Sequence, residues 1–488
     1  MHAGRNRGAA GEAEVELGPT ADLRAVVGAL IIGLGEVFSG FVPGAGVVVE
    51  VASGGTAVNT ILTSGATLEV LSGGLADPTI VSSGTTETVS AGGTDNGAQI
   101  SGGTQLVYGV ANAAIVFAGA EIVESGGLAS GTTVSSGGTL DVLGGGTAIA
   151  PHIVAGATLT LDGTLSAFIV SNGTFLAISG ATSINNTVLS GGTLELVDGA
   201  VQSGTRISAG GILEIGSSQA LSGFAVSSGV LLDVLVGGTA SSTTVSGGGK
   251  LFVESGGTAV AATVNSGGLE VVSGRGTVSG TTVSRGGTFE WIGSGQAANG
   301  LVFLSGAIFE VGAGAITSGV IVSKGVIGKI LAGGVESAGA ILSGGTLAVL
   351  SGGIVNGVTL SSGGTELVSA GGTDVGAILS LGGTQVVSAS GTENGAQISG
   401  GTQLDFGYAT GAVVFSGAQV VRAGGTASGT ILSGGSEVIS AGGADQGAKI
   451  SGGTQFVFGS AVGVTIVSGS QRVGSGRVGE RNNSRRRQ

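Results

Sequence analysis

The sequence predicts an all-β fold, a right-handed β-helix-like β-solenoid of about 22 turns with 18 or 19 residues each. Three observations carry this prediction. A short unit built on Ser-Gly-Gly-Thr recurs through most of the 488 residues, 105 of which are Gly. Apolar and polar residues alternate after each of these marks, as they do in a strand with one buried face. One such unit cannot bury its own apolar side, so successive units must stack.

The spacing of the turn marks defines the repeat. The steps from Thr86 to Thr94 to Thr104 are 8 and 10 residues long, and Thr365, Thr373 and Thr384 are similarly spaced. Two marks per unit favour a flattened coil over a left-handed β-helix, in which an apolar residue would recur every six positions. The segment NGAQISGGTQL occurs at 96–106 and again at 394–404, which indicates growth by duplication.

An apolar residue stands three positions after the turn Thr in nearly every unit. Stacking should place these residues in one inward-facing ladder. Alternation within TLEV at 67–70 then directs the intervening acid outward. Representative members of the ladder are Val107, Val142, Trp291, Val368 and Val387.

Glycine pairs precede the turn Thr in most units. Glycine adopts positive φ without a steric penalty, so these pairs are expected to form the sharp corners of each turn. The predicted corner residues include Gly102, Gly103, Gly137, Gly138, Gly363 and Gly364.

Acidic residues follow the turn Thr position by one or two residues. We expect all of them to face solvent, where stacking would bring like charges into register and raise their pKa values. This predicted outward set is Glu69, Glu87, Glu121, Asp141, Glu195, Glu214, Asp233, Glu270, Glu290 and Glu310.

The chain divides by composition into residues 1–50, the repeats of 51–470, and a basic, disordered tail at 471–488. Apolar residues of 21–38 fall at helical spacing and predict an amphipathic capping helix there. The longest apolar run stops at Glu36, so no transmembrane helix is expected, and the acidic start is a poor signal peptide.

No catalytic, cofactor-binding or metal-binding motif stands out. The sequence has no Cys and two histidines, His2 and His152, which are too few for a metal site or a triad. The calcium nonapeptide is absent, so we expect chelation to have no effect. The formal net charge of −13 argues against nucleic-acid binding. Trp291, Tyr108 and Tyr408 do not form a set that would stack a sugar.

The units VSSGGTLDVLGGGTA at 134–148 and LSSGGTELVSAGGTD at 360–374 resemble the repeats of AIDA-like autotransporter adhesins. The resemblance covers roughly 51–470, which is the passenger of that family without its C-terminal translocator barrel. It implies a secreted passenger on the surface of a Gram-negative bacterium.

The resemblance further implies a structural and adhesive role in cell adhesion and autoaggregation. The implied partners are host or bacterial cell surfaces and other copies of the chain, with no small-molecule cofactor. Two alternatives remain open from the sequence: a carbohydrate-active or carbohydrate-binding β-helix, and a structural array with no specific ligand. An enzyme of the first kind would need several carboxylates in one groove, whereas the acids here are spread over many units.

Overall fold

The computed structural model describes residues 5–7, 14–16, 28–171, 175–295 and 297–474. The described residues form β-strands, turns and bends with no helix, and they make parallel β-solenoid turns, about 23 in all. By compactness the chain comprises two units, Met1–Gln219 and Ala220–Gln488.

Three strands make up one turn. In a representative turn they are Thr346–Val349, Ile354–Asn356 and Thr359–Leu360, and each pairs in parallel with the equivalent strand of the next turn. We refer to the three resulting stacks as sheet 1, sheet 2 and sheet 3. Alternate residues of Thr346–Val349 are buried, so the core lies between the three sheets.

Among the described residues of the first unit, sheet 1 contains eleven strands, two of which also extend back into sheet 3. They are Gly28–Ile32, Val47–Val51, Thr67–Val70, Thr86–Val89, Gln99–Val107, Ile115–Val123, Gly138–Val142, Thr158–Leu161, Phe175–Ser179, Thr193–Val197 and Ile212–Ile215.

In the described part of the second unit, sheet 1 contains fourteen strands, of which again two extend back into sheet 3. They are Leu231–Val234, Lys250–Val253, Leu269–Ser273, Thr288–Ile292, Ile308–Val311, Ile327–Ile330, Thr346–Val349, Thr365–Val368, Thr384–Val387, Gln397–Asp405, Val413–Val421, Ser436–Ile439, Thr454–Val457 and Ser470–Val473.

The cross-section has three strands where the two turn marks had suggested a flattened coil. The first mark opens sheet 1 and the second opens sheet 2, as at Thr365 and Thr373. A further corner then separates Thr373–Val375 from Ile378–Ser380 of sheet 3. A single residue with positive φ, Gly376 at +74°, makes this corner, so no glycine pair marks it.

The amphipathic helix expected over 21–38 is wrong for its described part. Residues Gly28–Ile32 and Val37–Ser39 are strands, while 21–27 lie outside the described residues. Gly28, Gly33 and Gly35 weaken a helix by about 1 kcal/mol each. Pairing of Gly28–Ile32 with Val47–Val51 instead satisfies the backbone and buries Leu30 and Ile32.

The solenoid therefore extends beyond the predicted boundaries of 51 and 470. It begins with Gly28–Ile32 and its last described strand is Ser470–Val473, which pairs with Thr454–Val457. Residues 475–488 of the predicted tail lie outside the described residues. At the N-terminal edge, Arg5–Arg7 pairs antiparallel with Gly28–Ile32 and with Glu14–Glu16, and so covers the free hydrogen-bonding groups of that edge.

Candidate functional site

The two glycines of a corner have different tasks. The first has positive φ, at +98° for Gly102, +88° for Gly137 and +77° for Gly363. The second, at Gly103, Gly138 and Gly364, lies against the preceding turn. A Cβ at Gly103 would fall on the carbonyl oxygen of Ser82 and 2.7 Å from Cγ1 of Val81. The second glycine thus allows close stacking, which the expectation of positive φ at both positions did not capture.

The residues predicted for the inward ladder lie in the core. Val107, Val142, Val368 and Val387 have no exposed surface, and Trp291 is 6% exposed. Within each unit, the ladder residues of successive sheet 1 strands pair in register, as Val368 does with Val387. They supply an apolar column along one side of the core, which Asp405 interrupts between Val387 and Val421.

The expectation that all the acids face solvent is wrong for Glu87, Glu121 and Glu270, which are completely buried. Each stands one residue after the turn Thr position, whereas Glu69 stands two residues after it and is half-buried on the outer side. Alternation along a strand sends these two positions to opposite faces of the sheet. The first position is therefore inward, and in most turns it holds Leu or another apolar residue.

Besides Glu270, the inward position carries Glu or Gln in two regions, 87–121 and 366–455. In the first unit, Nε2 of Gln105 donates to Oε2 of Glu87 over 3.1 Å. Asp95 projects into the core from sheet 2 of the same turn as Glu87, and its Oδ2 accepts from the backbone N–H of Ala98 at 3.1 Å. A buried group of two carboxyls and one amide results.

The second unit contains the same arrangement with more contacts. Nε2 of Gln385 donates to Oε2 of Glu366 over 3.0 Å and to Oδ2 of Asp374 over 2.6 Å. Its own Oε1 accepts from Nε2 of Gln403 at 2.8 Å, and Gln403 also donates to Glu393 over 3.2 Å. The direction of these bonds fixes which end of each amide faces each carboxyl.

A third group lies further along the second unit. Nε2 of Gln455 donates to Oε2 of Glu437 over 2.8 Å and to Oδ2 of Asp445 over 3.2 Å. Gln471 in turn donates to Oε1 of Gln455 over 2.8 Å. We name the three groups triplet 1 (Glu87, Asp95, Gln105), triplet 2 (Glu366, Asp374, Gln385) and triplet 3 (Glu437, Asp445, Gln455).

Burial raises the pKa values of these carboxyls, because the charged form loses its hydration. Desolvation raises the pKa of both Asp95 and Asp374 to about 7 and that of Asp445 to about 6. Desolvation, with repulsion from Asp445, raises the pKa of Glu437 to about 8. Outside the triplets, burial raises the pKa of Glu121 and Asp405 to about 7, of Glu270 to about 8 and of Glu393 to about 9.

The sequence analysis missed most of the inward acids, although a signal for them was present. Turns that read Thr-Glu-Leu-Val, as at 365–368, reverse the order of Thr-Leu-Glu-Val at 67–70. A strict two-residue period would have assigned opposite faces to the two acids. The buried acids and amides that sheets 1 and 2 direct inward and that were not predicted are Asp95, Gln105, Glu336, Glu366, Asp374, Gln385, Glu393, Gln403, Asp405, Gln419, Glu437, Asp445 and Gln455.

One segment of the chain is similar to a known protein family. Residues 214–268 match the AIDA family model, described as an adhesin of the bacterial autotransporter system and its "probable stalk". The matched segment contains the same turn that both units repeat. The matched segment is therefore similar to the stalk of AIDA autotransporter adhesins.

No curated protein matches the chain. Among solved structures, a crystal structure of a TibC-catalysed, hyper-glycosylated TibA fragment (55–350) is 28% identical. The match covers 62% of this chain and 98% of the fragment, with a TM-score of 0.42.

Trp291 and Tyr408 do not share one surface. Trp291 packs edge-on against Phe289 with ring centroids 4.8 Å apart, and its other neighbour is Phe309 at 6.3 Å. An open cavity of about 410 Å³ adjoins this cluster, lined by Trp291, Phe303 and the segment 316–321. Trp291 is thus a core residue here, while Tyr408 lies exposed on a sheet 2 strand, Tyr408–Thr410.

The described part of the chain offers no cluster of metal ligands. No group of three or more His, Asp and Glu side chains there is arranged to hold a metal ion, and the triplets offer two carboxyls each. His152 lies exposed on the strand His152–Ile153. Within the same described ranges, no helix is long and apolar enough to cross a membrane.

Proposed function

We propose that this chain is a non-enzymatic adhesive passenger that binds host or bacterial cell surfaces and other copies of itself. The observation that carries the proposal is the AIDA adhesin match at 214–268 within turns that repeat along both units. An array of similar turns offers many weak contacts to another surface at the same time. Such multivalent contact gives strong adhesion without a deep ligand site.

The outer surface of 361–470 exposes no acid, and this supports contact with anionic cell surfaces. All six acids of this segment are buried, so its exposed charges are the cations Arg422 and Lys449. The outward positions of sheet 1 carry Thr and aliphatic residues instead. The aliphatic or aromatic members of this outward column are Leu367, Val386, Leu404, Val420, Val438 and Phe456.

The buried position of the acids also argues against the carbohydrate-active alternative. A glycosidase places two carboxyls on either side of a bound sugar, in a groove that the sugar can enter. Here the paired carboxyls of the triplets face the core between three sheets and have no exposed surface, apart from 2% at Asp445. This placement supports a structural role for these acids.

Bead aggregation tests the proposal directly. Beads coated with the full chain are expected to aggregate with each other and to settle onto cell monolayers, whereas albumin-coated beads stay dispersed. Val386→Glu with Val420→Glu charges the outward column and should reduce aggregation several-fold. Ala348→Glu, at the same outward position in another turn, is the matched control and should have little effect. Wild-type beads that neither aggregate nor bind cells would refute the proposal.

A further inference from the structure

The three triplets share one sequence pattern. In each, the second acid follows the first by 8 residues and the Gln follows the first acid by 18 or 19 residues. The first acid and the Gln occupy the same inward position in adjacent turns of sheet 1, as Glu366 and Gln385 do. The second acid enters the core from sheet 2. One pattern thus builds the same buried group three times.

The hydrogen bonds of a triplet leave one oxygen of each carboxyl free. In triplet 2, Gln385 occupies Oε2 of Glu366 and Oδ2 of Asp374, while Oε1 and Oδ1 have no partner. The corresponding oxygens of triplet 1 and triplet 3 are also without a partner. Buried oxygens that accept nothing cost free energy, and two carboxyls in contact satisfy each other when one of them carries a proton.

No cation faces triplet 2. Against Glu366 lie Leu347 below and Gln385 above, and against Asp374 lie Val355 below and Glu393 above. The sheet 3 strands that close these turns contribute Leu360 and Leu379. The titratable neighbour of the pair is therefore another acid, Glu393. Its charge raises the pKa of Glu366, and the charge of Asp374 raises the pKa of Glu393 in turn.

The other two triplets are surrounded in the same way. Around triplet 1 the titratable groups are Glu121, in the turn that stacks above Gln105, and the exposed Asp77. Around triplet 3 the additional acid is Asp405, while the cations Lys449 and Arg422 are exposed on the outer side. Among the described residues, the structure records one salt bridge, Lys329–Glu310, and it involves no triplet.

We propose that each triplet holds a proton between its two carboxyl groups, so that these turns close with proton uptake and open as the pH rises. The amide of each triplet orients the two acids, and the shared proton bridges their free oxygens. The raised pKa values of Asp95, Asp374 and Asp445, caused first by desolvation, agree with this arrangement.

The direction of the effect follows from proton linkage. A carboxyl whose pKa is higher in the closed turn binds a proton that the open turn releases, so closing is favoured at low pH. Stability of the triplet turns is retained below the ordinary carboxyl pKa and is lost as the pH rises through the folded values near 6 to 8. Within that window, the equilibrium constant for opening increases about tenfold per pH unit for each proton that opening releases.

Hydrogen exchange of the full chain at pH 5, 7 and 9 measures this effect locally. After correction for intrinsic exchange, peptides from 365–387 should lose protection by about tenfold or more between pH 5 and 9. Peptides from 231–253, whose inward sheet 1 position carries Leu, should lose far less. Equal loss in both segments, or a loss that calcium prevents and EDTA restores, would overturn the proposal.

Glu366→Gln tests triplet 2 while triplets 1 and 3 serve as internal references. The amide replaces the proton as the donor to Asp374, so the pH-dependent loss should largely disappear in 365–387 and persist in 436–457. Glu195→Gln, on the outer side of sheet 1, is the matched control. If Glu366→Gln does not fold, Glu437→Gln makes the same test in triplet 3: the pH-dependent loss should largely disappear in 436–457 and persist in 365–387. An unchanged loss in 436–457 would overturn the proposal.

Discussion

The turns at 193–197 and 365–368 have the same sheet 1 backbone and opposite side-chain polarity. Leu194 points into the core and Glu195 outward, whereas Glu366 points inward and Leu367 outward. Both turns pair in parallel with the next turn at the same register. The comparison teaches that the solenoid backbone tolerates either order, and that position in the strand alone decides whether a carboxyl meets water or the core.

The two kinds of turn are stabilised differently. Burying a Leu side chain contributes about 2 kcal/mol relative to leaving it exposed. A buried Glu lacks this contribution from apolar burial and needs a hydrogen-bond donor. Gln385 of the following turn is the donor to Glu366. An apolar turn is thus stable beside any apolar neighbour, whereas a polar turn depends on a particular residue in the adjacent turn.

The largest effect is expected from reversing the order in an apolar turn. Leu194→Glu with Glu195→Leu should lower the free energy of unfolding by about 4 kcal/mol at pH 7, because a carboxyl without an amide partner replaces a packed Leu. Its core-facing neighbours in sheet 1 are Leu176 and Leu213. Urea unfolding followed by circular dichroism measures the change.

The opposite reversal in a polar turn is the control. Glu366→Leu with Leu367→Glu restores the apolar order and leaves Gln385 bonded to Asp374, so we expect a change below about 1 kcal/mol. Equal losses from the two reversals would show that position in the strand does not explain the difference between the turns.

The next effect concerns a single buried acid outside the triplets. Desolvation raises the pKa of Glu270 from 4.5 to about 8, although Oγ1 of Thr281 donates to it over 3.4 Å. Because the folded pKa is the higher one, Glu270 costs stability as the pH rises from about 4.5 to 8. Glu270→Gln should therefore gain about 3 to 5 kcal/mol over the wild type at pH 9 and nothing at pH 4, since each unit of pKa shift corresponds to about 1.4 kcal/mol.

Thermal melting at the two pH values checks the Glu270 prediction. Glu254→Gln, at a position with partial solvent exposure in the preceding turn, serves as the comparison and should show little gain at either pH. A gain for Glu270→Gln that is the same at pH 4 and 9 would mean that ionisation of this carboxyl has no part in stability.

A smaller effect separates the two glycines of a corner. Gly103→Ala should cost about 2 to 3 kcal/mol, since its Cβ meets the backbone of Ser82 and the side chain of Val81. Gly137→Ala has open space around its Cβ and only its φ of +88° is strained, so we expect about 1 kcal/mol. Melting temperatures of the two variants are compared; the reverse ranking would contradict the close-stacking role of the second glycine.

The smallest effect is expected at the surface ion pair. Nζ of Lys329 lies 2.8 Å from Oε1 of Glu310, and both side chains are partly exposed. Lys329→Gln should cost less than about 1 kcal/mol at low salt, and the difference from wild type should vanish in high salt. A cost that high salt leaves unchanged would indicate lost packing of the Lys side chain instead.

Sequence alone predicted the parts of the fold that depend on local periodicity. The repeat length gave stacked turns, and the residue three positions after the turn Thr gave the ladder that includes Val368 and Val387. The division of the second half of each turn into two strands was missed, because a single residue such as Gly376 marks the corner between them. The strand Gly28–Ile32 was missed because its apolar residues also fit helical spacing, and pairing with Val47–Val51 decided between the two.

The triplets could be predicted only in part. The inward direction of Glu366 follows from its place directly after Thr365, and that information is local. The bonds from Gln385 to both acids require knowing that residues 19 apart stack in register and that sheet 2 faces sheet 1 across the core. These are tertiary facts, which no local pattern contains.

The amide that joins one turn to the next has a mechanical consequence. A passenger that holds two bodies together is pulled along its chain, and parallel turns then peel away one after another. Where the core is apolar, peeling one turn exposes hydrocarbon to water gradually. At the triplets, peeling the turn that carries Gln385 strips the donor from Glu366 and Asp374 in one step and admits water to both acids. The force that opens these turns should therefore fall as the pH rises, which would set the load at which adhesion yields.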